Sequence, residues 1–206
     1  MTQETISKLQ QIPGLTVLTG EQIGADFCHD ELPGAEAHAP EAVCEASSTQ
    51  QVSEVMKVCS ADQVPVTVRG AGTGRAGGSV PLRGGVVLSV RGMNSICSVD
   101  EETRTMTVQP GALLQDIKAE AERHGLFYPP DPGEKTATIG GNISTNASGP
   151  SAGKYGRTED YVIDAELVLA DGTVTTLRAD EVNAATAGSE GVLAVITQAT
   201  LRLVRA

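Results

Sequence analysis

Short apolar runs alternate with helical spacing along most of this chain. Val43 to Ala46 and Val64 to Arg69 predict strands, and between them Thr49 to Ala61 places Val52, Val55, Met56 and Cys59 on one helical face after a Ser47-Ser48-Thr49 start signal. The chain therefore opens with a β-α-β unit. Val86 to Val90, Ile96 to Asp100 and Thr103 to Val108 predict three further strands, and a helix follows from about Leu113 to His124 with Leu114, Ile117 and Ala121 inward. Tyr161 to Ala170 and Thr173 to Leu177 are joined by Asp171-Gly172, a strong hairpin signal, and Val192 to Val204 is expected to close the sheet. Asp100-Glu101-Glu102, between two strand signals, predicts a solvated hairpin turn. No internal repeat or low-complexity segment interrupts the alternation.

Three glycine-rich segments break this pattern. From Val66 the second strand runs into Arg69 and then into Gly70, Ala71, Gly72, Thr73, Gly74, Gly77, Gly78 and Ser79, a loop with almost no side chains to pack. Such a loop loses conformational entropy on ordering, and successive backbone N–H groups form a concavity suited to a phosphate or pyrophosphate. Arg69 is expected to add charge. The spacing is not that of a Gly-x-Gly-x-x-Gly fingerprint, because the third glycine falls one position early and Pro81 and Gly84-Gly85 block an immediate helix. The second segment, Tyr128-Pro-Pro-Asp-Pro132 leading to Thr138, Gly140 and Gly141, combines a proline-fixed approach with bare backbone. Asn142, Thr145, Asn146 and Ser148 add neutral donors and acceptors suited to a polar heteroaromatic ring or a ribitol chain. The third segment, Gly188-Ser-Glu-Gly191, opens the apolar run Val192 to Ile196.

Composition narrows the classes. At 206 residues the chain is long enough to bury its own core, although it has only three Tyr, two Phe and no Trp. A net charge of −11 speaks against nucleic acid, whose phosphates need clustered Lys and Arg. No run of 18 apolar residues exists and the N-terminus is polar, so neither a membrane span nor a signal segment is expected, and the predicted location is the cytoplasm. Cys28, Cys44, Cys59 and Cys97 lack Cys-x-x-Cys spacing and are expected to be buried thiols in a reducing compartment. His29, His38 and His124 share no metal-ligand spacing, and no metal is expected.

Taken together, VRGAGTGRAGGSVP, FYPPDPGEKTATIGGNISTNASG, KYG, VLADG and GSEGVLAVITQATLRL resemble the FAD-binding domain of the vanillyl-alcohol oxidase/p-cresol methylhydroxylase flavoproteins. Within that family the glycolate oxidase and D-lactate dehydrogenase branch is the most similar. DFCHDELPG, at Asp26 to Gly34, extends the likeness to lactate dehydrogenase subunits that work with electron-transferring flavoproteins, and the likeness runs from roughly Ile23 to Val204. The resemblance implies an α+β fold for residues 1–206, a single FAD-binding domain of two lobes, about 1–100 and 101–206, with FAD in the cleft between them.

The resemblance also implies where FAD would sit. Arg69 to Gly74 with Gly78 and Ser79 would hold the pyrophosphate. Pro132, Thr138, Gly140, Gly141, Asn142, Thr145 and Asn146 would line the flavin and ribityl chain. Glu190, Gly191, Val192, Val195 and Ile196 would lie near the adenosine end. Tyr155 and Gly156, beside Lys154, are further candidates, as flavin neighbours or as residues that fix their loop. Covalent members carry a His in the first loop, so Thr73 and Gly74 imply non-covalent FAD.

The implied reaction is oxidation of a 2-hydroxy acid of the D-lactate or glycolate type by hydride transfer to the flavin. Electrons would leave to a partner protein or a quinone, and the cofactor would supply the chemistry while the protein binds and orients it. Complete family members continue into a cap domain with the substrate pocket, whereas this chain ends at Ala206 and has only ADEVNAATA between Ala179 and Ala187, where a Gly-Tyr-x-Leu element is usual. The expectation is a domain that meets its 2-hydroxy acid only when a cap is supplied. The alternative is an FAD- or ADP-binding module without turnover of its own. No residue is a convincing base; His124 is proposed only by elimination.

Overall fold

The computed structural model describes all residues from Met1 to Ala206. In chain order the elements are α1 (Gln3–Gln10), β1 (Thr16–Thr19), β2 (Ala42–Glu45), α2 (Thr49–Ala61), β3 (Val66–Arg69), β4 (Val86–Ser89), β5 (Ile96–Asp100), β6 (Thr105–Val108), α3 (Leu114–Arg123), β7 (Leu126–Phe127), α4 (Ile139–Ser144), α5 (Ala152–Tyr155), β8 (Val162–Val168), β9 (Val174–Arg178), α6 (Ala179–Thr186), β10 (Val195–Arg202) and β11 (Val204–Arg205). The class is α+β.

The first sheet has the order β1-β2-β4-β3, with β1 antiparallel to β2 and the other pairs parallel. The β-α-β unit is present, but β4 lies between its two strands. All four residues of β4, Val86 to Ser89, are buried, as a central strand covered on both faces requires. On one face lie α1 and α2. Ser48 caps α2 by accepting from the Gln51 N–H, and Gln51 Oε1 accepts from the Ser47 N–H at 2.7 Å, so both serines of the start signal hold the helix entry.

The second sheet is antiparallel, with the order β5-β6-β10-β8-β9. β10 does not close this sheet at an edge; it lies in the middle, between β6 and β8. A strand late in the chain holds the centre by pairing with both β6 and β8, and Val195, Ile196, Thr197, Ala199 and Leu201 are buried there. The change of sheet falls between Ser89 and Ile96. The Asp100 hairpin turn is formed, Asp100 Oδ1 accepting from the Glu102 and Thr103 N–H groups.

The two sheets share α2. Val168 and Val195 of the second sheet belong to the same core as Val52, Val55, Cys59, Val86 and Leu88. Ser53 Oγ donates to the Gly172 carbonyl at 2.6 Å, and Thr49 and Thr197 hydroxyls both donate to Glu166 Oε1, at 2.6 and 2.7 Å. The second core, around Met106, Ile117, Tyr128, Ile139, Leu167 and Leu201, packs α3 and α4 against the antiparallel sheet. Cys44 and Cys59 are buried free thiols, each pushed up to about 12 chiefly by burial, but contrary to the expectation of buried cysteines Cys28 is only half-buried and Cys97 is exposed on β5, an edge strand with little cover. No helix is long and apolar enough to cross a membrane.

Candidate functional site

The loop after β3 is a run of backbone donors without acceptors. The N–H groups of Gly70 to Ala76 donate to nothing in the protein, whereas the Gly77 N–H donates to Asp30 Oδ2 at 2.8 Å and the Val80 N–H to the Gly77 carbonyl. Unpartnered amides facing a concavity favour an anion. This loop is one wall of a cleft of about 680 Å³, within the usual range for small-molecule sites.

The second wall is the segment Pro132 to Thr138 with the start of α4, and the third is Glu190, Gly191, Ala194 and Ile196 at the entry to β10. The walls touch at glycines. A Cβ on Gly70 would collide with Thr138 Oγ1, and one on Gly78 would lie 3.1 Å from the Glu190 Cβ. The absence of side chains therefore draws the three glycine segments together around one space.

Most residues expected at the site line this cleft: Gly70, Ala71, Gly72, Thr73, Gly74, Gly78 and Ser79 on the loop; Pro132, Thr138, Gly140, Gly141, Asn142 and Thr145 on the second wall; Glu190, Gly191 and Ile196 on the third. Arg69 does not add charge to the cleft. The residue is 4 % exposed and its guanidinium turns inward, donating to the Asp26, His29 and Ser79 carbonyls beneath the loop and lying over the Phe27 ring. Burial lowers its pKa from the usual value, with Asp26 and Asp30 opposing. Gly72, at φ +75°, has to be glycine here because a Cβ would fall on that guanidinium.

Several other expected residues lie away from the cleft lining. Asn146 stands outside the lining and braces its loop, with φ +49° and Oδ1 accepting from the Glu159 N–H. Tyr155 packs edge-on to Phe127 and receives the Lys154 ammonium on its hydroxyl, while Gly156 turns the chain beside Asp160; these residues fix the loop and do not line the cleft. Val195 is buried in the shared core, and Val192 is 80 % exposed, because β10 begins only at Val195. His124 pairs with Glu101 and Glu120 at the far end of α3, which excludes it as a base in this cleft.

The glycine pair divides. Both residues are helical rather than left-handed. A Cβ on Gly140 would lie 2.7 Å from the Pro110 Cβ, so this glycine serves packing, and its N–H donates to the Pro110 carbonyl at 2.8 Å. A Cβ on Gly141 would meet only Thr138 Oγ1 at 3.4 Å, and the Gly141 N–H has no protein acceptor. Sequence reading missed Asp30, Glu31, Arg75, Pro110 and Glu134 on the walls. The Pro110-Gly111 turn was the available signal for one of them.

Two sheets joined through α2, with a cleft of bare amides between glycine walls, define a binding domain for a phosphate-bearing cofactor. The family described as FAD binding domain matches residues 40–178. The chain is 43% identical to a D-lactate dehydrogenase of Anaerostipes hadrus over 100% of its own length and 45% of the relative's. It is 38% identical to the glycolate oxidase subunit GlcD of Bacillus subtilis (strain 168), covering 99% of this chain and 45% of that protein. Among solved structures, alkyldihydroxyacetonephosphate synthase superposes with a TM-score of 0.86 at 22% identity, over 100% of this chain and 44% of that one. The 6-hydroxy-D-nicotine oxidase of Arthrobacter nicotinovorans superposes with 0.78 at 23% identity, over 92% and 42%. The chain belongs to the FAD-binding-domain family, and its cofactor is FAD. It spans about half the length of the curated relatives it matches.

The residues present fit that group. The unpartnered amides of Gly70 to Arg75 can donate to the oxygens of a pyrophosphate, and the bare face at Gly141 leaves room for a planar ring against backbone. Val68, Val90, Ala194 and Ile196 give the floor an apolar strip, while Asn142, Thr145 and Thr138 supply neutral polar groups.

Proposed function

We propose that this chain is the FAD-binding domain of an oxidoreductase acting on 2-hydroxy acids of the D-lactate or glycolate type. The unpartnered amides of Gly70 to Arg75 on the cleft wall, together with the match to the FAD binding domain, carry the FAD part of the reading, and the similarity to D-lactate dehydrogenase and glycolate oxidase subunits carries the substrate class. In this reading the loop 70–79 holds the pyrophosphate, Pro132 to Thr145 border the flavin and ribityl chain, and Glu190, Gly191 and Ile196 border the adenosine. When bound, FAD supplies a two-electron acceptor for the alcohol carbon of the substrate. The chain's own residues bind it, orient it and exclude water from one face.

FAD is held non-covalently: no His, Cys or Tyr lines the cleft to attack the flavin. The protein works in the cytoplasm and passes electrons to a partner protein or quinone, a reading that rests on the net charge of −11, the four free cysteines and the similarity to the dehydrogenase and oxidase subunits. One observation favours the narrower reading of a binding module without turnover by these residues alone. The cleft lining has no His, Lys or Tyr, and its carboxylates are Asp30, Glu31, Glu134 and Glu190, of which Asp30 is engaged by the Leu32 and Gly77 amides. A positioned base would come from outside this domain. Purified protein tests the proposal. It should show a flavin absorbance spectrum after FAD is added and the excess removed, and acid should release all the FAD intact; a colourless protein after such loading, or flavin retained on the denatured chain, contradicts it.

A further inference from the structure

The cleft is poor in positive charge. Among its lining residues Arg75 is the one Lys or Arg, facing four carboxylates, Asp30, Glu31, Glu134 and Glu190. The cation nearest in sequence, Arg69, is buried under the loop with its guanidinium on the carbonyls of Asp26, His29 and Ser79. A pyrophosphate seated on the amides of Gly70 to Ala76 would otherwise meet only neutral donors in an acidic surround, an unfavourable setting for a dianion.

We infer that Arg75 is the cofactor-binding cation of this cleft, and that Glu134 on the facing wall competes with the pyrophosphate for it. The inference rests on the FAD reading above and adds a specific charge to it. Arg75 belongs to the same loop as the free amides, lines the cleft and has an exposed side chain. Glu134 is fixed by its own turn, with Oε1 accepting from both the Thr136 N–H and the Thr136 hydroxyl, and its second oxygen has no protein partner. The Thr136 bonds hold the Glu134 carboxyl below its usual range, and Arg75 adds to that lowering.

Titration of the purified apo-protein with FAD, read by quenching of flavin fluorescence, and with ADP, read by competition, tests this. Arg75→Gln should weaken FAD and ADP by about fivefold or more at low salt, the size of a charge-assisted contact at a partly exposed site, whereas Arg75→Lys should keep most of the affinity. The deficit should shrink at about 1 M salt, where the screening length falls to about 3 Å. Glu134→Gln keeps an acceptor for Thr136 and should tighten FAD binding. A loss of FAD affinity smaller than about fivefold in Arg75→Gln at low salt, or a deficit as large at high salt as at low, overturns the role of Arg75. Weaker or unchanged binding in Glu134→Gln overturns the competition. Failure of the parent protein itself to bind FAD is a different result and removes the functional reading on which this one rests.

Discussion

Adjacent glycines in α4 should respond to the same substitution in opposite ways. In Gly140→Ala the new Cβ would lie 2.7 Å from the Pro110 Cβ, 3.1 Å from its carbonyl oxygen and 3.2 Å from its Cα. Carbon pairs settle at about 3.5–4.0 Å, so helix and proline have to part by roughly 1 Å. The Gly140 N–H bond to that carbonyl, 2.8 Å long, does not survive such a shift. Overpacking costs about 1–3 kcal/mol and the lost hydrogen bond about 1, against about 1 recovered from replacing a helical glycine. The net loss is about 1–3 kcal/mol, and with roughly 2–4 °C of Tm per kcal/mol for a chain of this size, Tm should fall by several degrees. Gly141→Ala meets only Thr138 Oγ1 at 3.4 Å, so its fold should be unharmed, while its methyl points into the space assigned to the cofactor. FAD affinity should drop tenfold or more, of the order of 1.4 kcal/mol. Thermal unfolding by circular dichroism and fluorescence titration with FAD, run on both variants, separate the two effects. A Gly141→Ala protein that is folded and binds FAD like the parent would refute the placement of ligand against this face, and an unshifted Tm in Gly140→Ala would refute the steric argument.

Other outcomes follow from the same contacts. Ser53→Ala strips the buried Gly172 carbonyl of its donor and should destabilise the joint between the sheets by about 1–3 kcal/mol, seen as a lower denaturant midpoint. His124 has its pKa raised, first by the Glu101 contact and then by Glu120, so its stabilising charge is fully present below its unfolded pKa of about 6.5 and is lost as pH rises through the higher folded value. The Tm difference between parent and His124→Gln should therefore be largest at mildly acidic pH and vanish in alkaline buffer; a difference that grows with pH contradicts this. Alkylation of the native protein near neutral pH should label Cys97 and spare Cys44 and Cys59, which react only after unfolding; rapid native labelling of Cys44 would show that its burial is misjudged.

Periodicity made α2 and α3 legible because each carries its burial on one face, and Ser48 signalled the start of α2 through a cap that the structure contains. The three glycine segments were legible as a site, since nothing in a core uses bare backbone in that quantity. Which glycine serves the ligand and which serves packing was not legible: Gly140 and Gly141 look alike until Pro110, thirty positions away in sequence, is placed beside one of them. The direction of Arg69 was hidden for a similar reason. Three carbonyl acceptors gather beneath the loop only in the folded chain, and they draw the guanidinium away from the charge it was expected to meet. Arg75 was overlooked because a lone arginine in a glycine loop is ordinary until the cleft proves to hold no other cation. The central place of β10 follows from pairing with β6 and β8, a long-range choice that local alternation cannot state.

In the proposed complex the amides of Gly70 to Ala76 donate to the pyrophosphate of FAD. Amide hydrogen exchange over the loop, with and without FAD, addresses it directly. In the apo-protein these N–H groups have no acceptor and should exchange quickly, while the neighbouring Val86 to Ser89 strand is protected. Addition of FAD should slow exchange across Gly70 to Ala76. Loop amides that exchange as fast in the FAD complex as in the apo-protein would contradict the account.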